Sequence, residues 1–316
     1  MSFDHSISRR SVFKGAGGLA VASALGAGAA LGANTPAHAA GLDVVEHQTY
    51  GRMEYYKVST PSIAWKPRVN VLLPDGYDSG RRYPVLYLLH GGAQNFMKFD
   101  KEDDIRGLTA GRDLIVVMPD GGIAGWYCNP VTANLGPRNW ETFHIEELIP
   151  WVDATFRTFP EQAGRAVSGF SMGGFGALKY TAKYYGHFAS VSSHSGPASL
   201  RSINGAVAHW ANASSTIDLG GGTVYGTPWD EARVSADNPV ERIESYRGKR
   251  IFLVSGTETF DVNEGFVLPT QREFAAALDR AGIHYERHEE PGGHFVRRER
   301  LQQDIDGVIA HLRKAG

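Results

Sequence analysis

Arg165-Ala166-Val167-Ser168-Gly169-Phe170-Ser171-Met172-Gly173-Gly174 is the stretch on which the fold reading turns. Residues 165–167 read as a short strand and residues 173–185 as a helix, with the pattern G-x-S-x-G at the junction. A serine on so sharp a strand-to-helix turn projects its hydroxyl above a sheet, and glycines on either side let the backbone close. The N-terminus of the following helix favours negative charge beside that hydroxyl. Ser171 is therefore the expected nucleophile.

Working outward, short β-type runs alternate with helical patterns, which predicts an α/β fold with a mostly parallel central sheet and helices on both faces. Strands are expected at 68–73, 83–89, 114–118, 188–192, 251–254 and 284–288. The runs YPVLYLL and LIVVM are almost wholly apolar, as strands covered on both faces should be. Ile145, Leu148, Ile149, Val152 and Phe156 recur at helical spacing, with Pro150 expected to kink that helix. Helices are also expected at 274–280 and, from Leu301, Ile305, Val308, Ile309 and Leu312, at the C-terminal end. The stretch 197–248 is rich in Ser, Gly and Ala and reads as an irregular excursion over the strand ends, inside a single domain from residue 40 to 316.

Residues 1–39 read as a twin-arginine export signal. Ser8-Arg9-Arg10-Ser11-Val12-Phe13-Lys14 is followed by a Gly/Ala-rich apolar stretch and then by Ala37-His38-Ala39, a cleavage pattern. The apolar stretch is too short and glycine-rich for a membrane anchor, so the expected location is secreted or associated with the cell envelope. A formal net charge of −2 gives no electrostatic case for nucleic acid or an anionic membrane. Cys128 is the single cysteine, so no internal disulfide can form. There is no H-E-x-x-H, no Cys/His pairing and no dinucleotide or Walker pattern, so neither metal nor cofactor is expected.

The partners of Ser171 come from chain order. His90-Gly91-Gly92 closes the YPVLYLL strand, where a loop can lend a backbone N–H to an oxyanion; the amides of Gly92 and Met172 are the candidate donors. His294, in Pro291-Gly292-Gly293-His294, follows the last strand and is the candidate general base. The acid should fall between strand 251–254 and His294. Glu258, Asp261, Glu264 and Glu273 all qualify; proximity to the strand favours Asp261, and Glu273 reads as a helix-face charge. His144-Ile145-Glu146 reads as one exposed helix turn.

Together YLLHGG, VMPDGG, WYCN, WETF, GFSMGGFGA and PGGH resemble the esterase D-like α/β hydrolases, which include feruloyl esterases, S-formylglutathione hydrolases and actinobacterial mycolyltransferases. The resemblance runs from about Val69 to the C-terminus and implies the α/β-hydrolase fold. Trp126, Tyr127 and Trp140–Phe143 look most like the mycolyltransferase branch, whose acid is a glutamate with Phe two, Val three and Phe ten positions on. Glu264, Phe266, Val267 and Phe274 match that spacing, so the resemblance implies Glu264 as the acid. It also implies Gly92 and Met172 as oxyanion positions. Trp126, Tyr127, Trp140, Trp210 and Trp229 are the aromatics expected to line an acyl or alcohol pocket, with core packing the competing role for each. His90 and Ala93 stand where that branch has the Asp and Arg that bind the acceptor sugar, and Phe295-Val296-Arg297-Arg298 replaces its aromatic sequence after the histidine. The expected function is hydrolysis of small-molecule, lipid or carbohydrate esters. Acyl transfer to envelope sugars or lipids is the alternative, and a non-catalytic adhesion protein a remote one.

Overall fold

The computed structural model describes residues 41–77 and 80–316. The expected export signal lies outside them.

Strands 83–89 and 114–118 are realised as β4 (Val85–Leu89) and β5 (Ile115–Pro119), both buried throughout. They belong to a nine-stranded sheet with β1 (Asp43–Tyr50), β2 (Met53–Ser59), β3 (Arg68–Leu72), β6 (Arg165–Phe170), β7 (Ser190–His194), β8 (Arg250–Gly256) and β9 (Glu286–Glu290), in the order β1-β2-β3-β5-β4-β6-β7-β8-β9. The first three strands and the β3–β5 pair are antiparallel; from β5 to β9 every neighbour is parallel. Side-chain alternation splits the core in two. Val85, Tyr87 and Leu89 join Val117, Val167 and Leu253 on one face, while Leu86 and Leu88 join Val116, Met118 and Ala166 on the other.

Helices cover both faces. The short α1 (Lys98–Lys101) and α2 (Ile105–Leu108), with α9 (Arg298–His311), pack on the Leu86/Leu88 face through Phe99, Ile105, Leu301, Ile305 and Val308. The other face carries α3 (Trp140–Thr142), α4 (Ile149–Thr155), α5 (Met172–Lys183), α6 (Ser202–Asp218), α7 (Glu231–Asp237) and α8 (Val262–Arg280). Pro150 lies inside an unbroken helical run, Trp140–Thr155, and the ladder is distorted just before it, where residues 143–148 are wound as a π-helix.

The 197–248 excursion is mostly helical rather than irregular. It holds α6, α7 and a 3-10 segment at Pro239–Tyr246. Its helix-facing residues, among them Val207, Ala208, Ala211 and Ser215, are small, so it presents a weak apolar stripe for the eye to find. Within α6, Ile203, Asn204 and Gly205 have left-handed backbone angles.

The strand order positions the site. β4 lies between β5 and β6, so the chain leaves β4 toward one side of the sheet to form β5 and then crosses back past it to form β6. Crevices for ligands form at such a switch point, outside the carboxyl ends of the strands. Register aligns Leu89 with Gly169 and Phe170 with His194, which brings the HGG loop and the Ser171 turn side by side.

Candidate active site

Ser171 has φ 55° and ψ −119°, an unusual conformation for a residue with a side chain. The neighbours explain how it is held. Its amide donates to the His194 carbonyl at 2.9 Å, and its own carbonyl accepts from Phe175 at 3.0 Å as α5 begins. A Cβ on Gly169 would stand 2.3 Å from the Gly173 carbonyl carbon, and one on Gly173 only 2.1 Å from the Leu89 oxygen. Both glycines of the motif are thus demanded by close backbone approach.

His294 Nε2 lies 2.7 Å from Ser171 Oγ, and its Nδ1 lies 3.3 Å from Glu264 Oε1. The imidazole packs against the Phe170 ring at 4.9 Å between centroids. Glu264 is fully buried in the first turn of α8. Asp261 reaches the same histidine by another route. As N-cap of α8 it accepts from the Asn263 amide through Oδ1, and from the His294 main-chain amide through Oδ2 at 2.9 Å. Partial desolvation pushes its carboxyl up, and the amides of His294, Asn263 and Glu264 outweigh that, leaving it below its ordinary range. Asp261 therefore holds the histidine loop, whereas Glu264 faces the ring. Glu273 is exposed on α8, three turns' length from these contacts along the helix.

The HGG loop is fixed by His90. Gly121 N–H donates to its Nε2 at 2.9 Å, so Nδ1 carries the proton and donates to the Gly91 carbonyl at 2.7 Å. Burial lowers the pKa of the ring, which keeps it neutral. Gly91 N–H donates to Gln94 Oε1 and Ala93 N–H to the Ile123 carbonyl. The Gly92 amide between them has no acceptor among the described residues. Met172 opens α5, so its amide has no intrahelical partner either.

Ser171, His294, Gly92 and Met172 all border one cavity of about 500 Å³. Its wall is largely apolar, with Ile123, Ala124, Trp126, Phe170, Trp210 and Ile217, and it carries Gln94, Ser214 and Asn263 as polar groups. Trp126 is held there with φ 49°; its indole N–H donates to Ser214 Oγ at 2.8 Å, and it stacks edge-on against Trp210 at 5.0 Å. Trp229 borders a different surface cavity, against His209, and the remaining two aromatics expected at substrate are core residues. Tyr127 is fully buried and donates its hydroxyl to the His90 carbonyl at 2.8 Å, bracing the HGG loop from below. Trp140 is fully buried against Trp65, Phe143 and His144. Nor is His144 exposed: it is buried, with Nε2–H donating to the Asp120 carbonyl and Nδ1 accepting from Tyr180, and burial lowers its pKa to about 3. Ile123, Ile217, Gln94 and Asn263 carried no signal in the sequence; they reach the cavity only because loops from distant parts of the chain converge there.

A buried polar cluster underlies the turn. Asp304 of α9 accepts from Ser168 Oγ at 2.9 Å and from the Arg250 guanidinium at 2.8 Å, and lies 3.1 Å from His194 Nε2. Burial works against its charge, and the hydrogen bond from His194 with the charge of Arg250 more than compensates, holding its carboxyl well below the usual range. His194 pairs with Phe170 at the end of β6, and Ser168 lies two residues before Phe170, so this cluster ties α9 to the base of the site.

The sequence profile of the Esterase family matches residues 60–306. Esterase Rv1288 of Mycobacterium tuberculosis is 63% identical over 287 residues, covering 87% of this chain; the chain spans 63% of the length of that relative. Among solved structures, the S-formylglutathione hydrolase of Agrobacterium tumefaciens superposes with a TM-score of 0.70 at 17% identity, covering 86% of this chain and all of that one. MPT51 of M. tuberculosis superposes with a TM-score of 0.68 at 20% identity, covering 85% of this chain and 99% of that one. With the family match spanning most of its length, this chain belongs to the Esterase family and has the α/β-hydrolase fold.

Proposed function

We propose that the chain is an exported serine esterase that hydrolyses carboxylic esters through an acyl-enzyme on Ser171. The observation that carries this reading is the continuous chain Ser171 Oγ, His294, Glu264, with separations of 2.7 and 3.3 Å, at the wall of an apolar cavity.

In the mechanism, Ser171 Oγ attacks the ester carbonyl carbon while His294 Nε2 takes the hydroxyl proton. Glu264 accepts from Nδ1–H, which fixes the tautomer and stabilises the imidazolium. The Gly92 and Met172 amides receive the developing oxyanion, where loss of one donor typically costs ~10²–10³ in rate. As the tetrahedral intermediate collapses, the C–O bond to the alcohol breaks and His294 returns the proton to the leaving oxygen. A water molecule, deprotonated by His294, then attacks the acyl-enzyme; the acid departs and Ser171 regains its proton. Hydrolysis is favoured over transfer to a sugar by the HGG loop. His90 is buried with both ring nitrogens engaged, so it has no group to offer an acceptor hydroxyl.

Turnover of p-nitrophenyl esters tests the reading. Ser171→Ala and His294→Ala should each lower kcat by ~10⁴-fold or more with folding intact. A Ser171→Ala protein that retains full turnover contradicts it, and partition of the acyl group to added trehalose or glycerol in preference to water would replace hydrolysis by transfer. Export is carried by Arg9 and Arg10; Arg9→Lys/Arg10→Lys should retain the protein inside the cell.

A further inference from the structure

Exposed apolar side chains scattered singly are ordinary on a protein surface, but a cluster round a cavity mouth marks an interaction site. Ile217 (77% exposed) and Ile123 (50%) line this cavity, and three more lie in the segments that supply its lining residues Asn263 and His294: Phe260 (83%), Val262 (71%) and Phe295 (51%). Each is a cavity-wall residue or close beside one. Ile123 and Ile217 line the cavity themselves, Val262 precedes Asn263, and Phe295 follows His294. Two contacts draw them together. The 2.9 Å hydrogen bond from His294 N–H to Asp261 staples the loop of Phe260 and Val262 to that of Phe295. Across the mouth, a Cβ on Gly122 would stand 2.5 Å from Asp218 Oδ2, so the segments of Ile123 and Ile217 touch.

We infer that this apolar collar docks on the surface of an aggregated, uncharged lipid ester, so that an acyl chain can pass from the lipid phase into the cavity without crossing water. The inference rests on the esterase reading above and names the physical form of its substrate. Three points favour a neutral lipid surface as the occupant. The collar residues carry no charge. Of the two acidic side chains beside them, Asp261 has its carboxylate committed to backbone amides and Asp218 accepts from the Ala124 amide. The apolar lining continues inward through Trp126, Phe170 and Trp210, so the surface that would meet lipid is continuous with the wall that would meet an acyl chain. No helix among the described residues is long and apolar enough to cross a membrane, so the attachment is peripheral.

Docking is tested apart from catalysis by co-sedimentation of the Ser171→Ala protein with phosphatidylcholine vesicles; a failed esterase reading leaves this result untouched. Binding should survive high salt, and the partition coefficient should be about tenfold or more lower for Phe260→Ser/Val262→Ser. Tyr185→Ser, an exposed aromatic in the turn after α5, should bind as the parent does. In the active protein, the double variant should lose about tenfold on dispersed p-nitrophenyl palmitate and retain turnover of soluble p-nitrophenyl acetate, which also reports that it is folded. The single variant Phe260→Ser should show the same split to a smaller degree. Undiminished vesicle binding by the double variant overturns the inference, as does equal loss on both esters. So does binding confined to phosphatidylglycerol vesicles and abolished by salt. A collar-dependent dimer in sedimentation velocity would assign the surface to a second copy of the chain instead.

Discussion

Glu264→Gln keeps the shape of the side chain that faces His294 Nδ1 and removes its charge, so it isolates the electrostatic part of the arrangement. Turnover should fall by ~10³–10⁴-fold. Asp261→Asn weakens only the hold on the histidine loop and should cost tenfold or less, while Glu273→Gln should match the parent. Steady-state kinetics on one soluble ester separates the three, and full activity in Glu264→Gln would remove that residue from the mechanism. These side chains also mark how far the sequence could be read. Ser171 and His294 were legible because glycine spacing fixes the backbone around them. The acid was not, since Asp261 and Glu264 are one helical turn apart and both contact His294; what separates them is that one caps the helix with its carboxylate and the other points at the ring. Tyr127 escaped for a different reason: Trp126 and Tyr127 both have positive φ, and nothing in their identity shows that the first faces the cavity and the second the core.

At the scale of elements, the buried contact between α9 and the sheet is the sharpest point to probe. Asp304→Asn leaves the Arg250 guanidinium beside a neutral group in a largely buried setting, and unfolding should become easier by about 3 kcal/mol. The fall should show as a lower midpoint in urea at an unchanged slope; stability within experimental error of the parent would mean the cluster is merely satisfied, not stabilising. Elements were legible where burial is two-sided. β4 and β5 read as apolar runs and were found. β1 was not anticipated, because it is a largely exposed edge strand without an apolar alternation. Strand β9 lies at 286–290, two residues later than its pattern suggested, and α8 starts at Val262, well before the apolar 274–280 stretch, because its first turns serve the site rather than the core.

For the molecule as a whole, buried ionisable groups set the response to acid. Burial depresses His144 to about 3 and also lowers His90, so both are neutral when folded and protonate on unfolding. Because the folded values lie below the unfolded value of about 6.5, their contribution is complete above that pH and is lost as pH falls towards the folded values. Glu141 acts in the same sense further down: burial opposes its charge, but Lys179 and Lys183 pull it to about 2, so its share is lost from about 4.5 downward. Urea unfolding should therefore show stability falling between pH 6.5 and 4, by up to ~1.4 kcal/mol per unit for His144, with His90 acting in the same direction. His144→Gln should flatten that slope, and stability that stays level or rises on acidification would contradict the burial of these rings. The proposal that Ser171 is an activated nucleophile can be checked by treating folded protein with a fluorophosphonate and locating the adduct by mass spectrometry. One covalent label is expected, on Ser171, with stoichiometric loss of ester turnover and no label in Ser171→Ala or His294→Ala; an unlabelled Ser171 in active protein, or a label on another residue, would rule the nucleophile out.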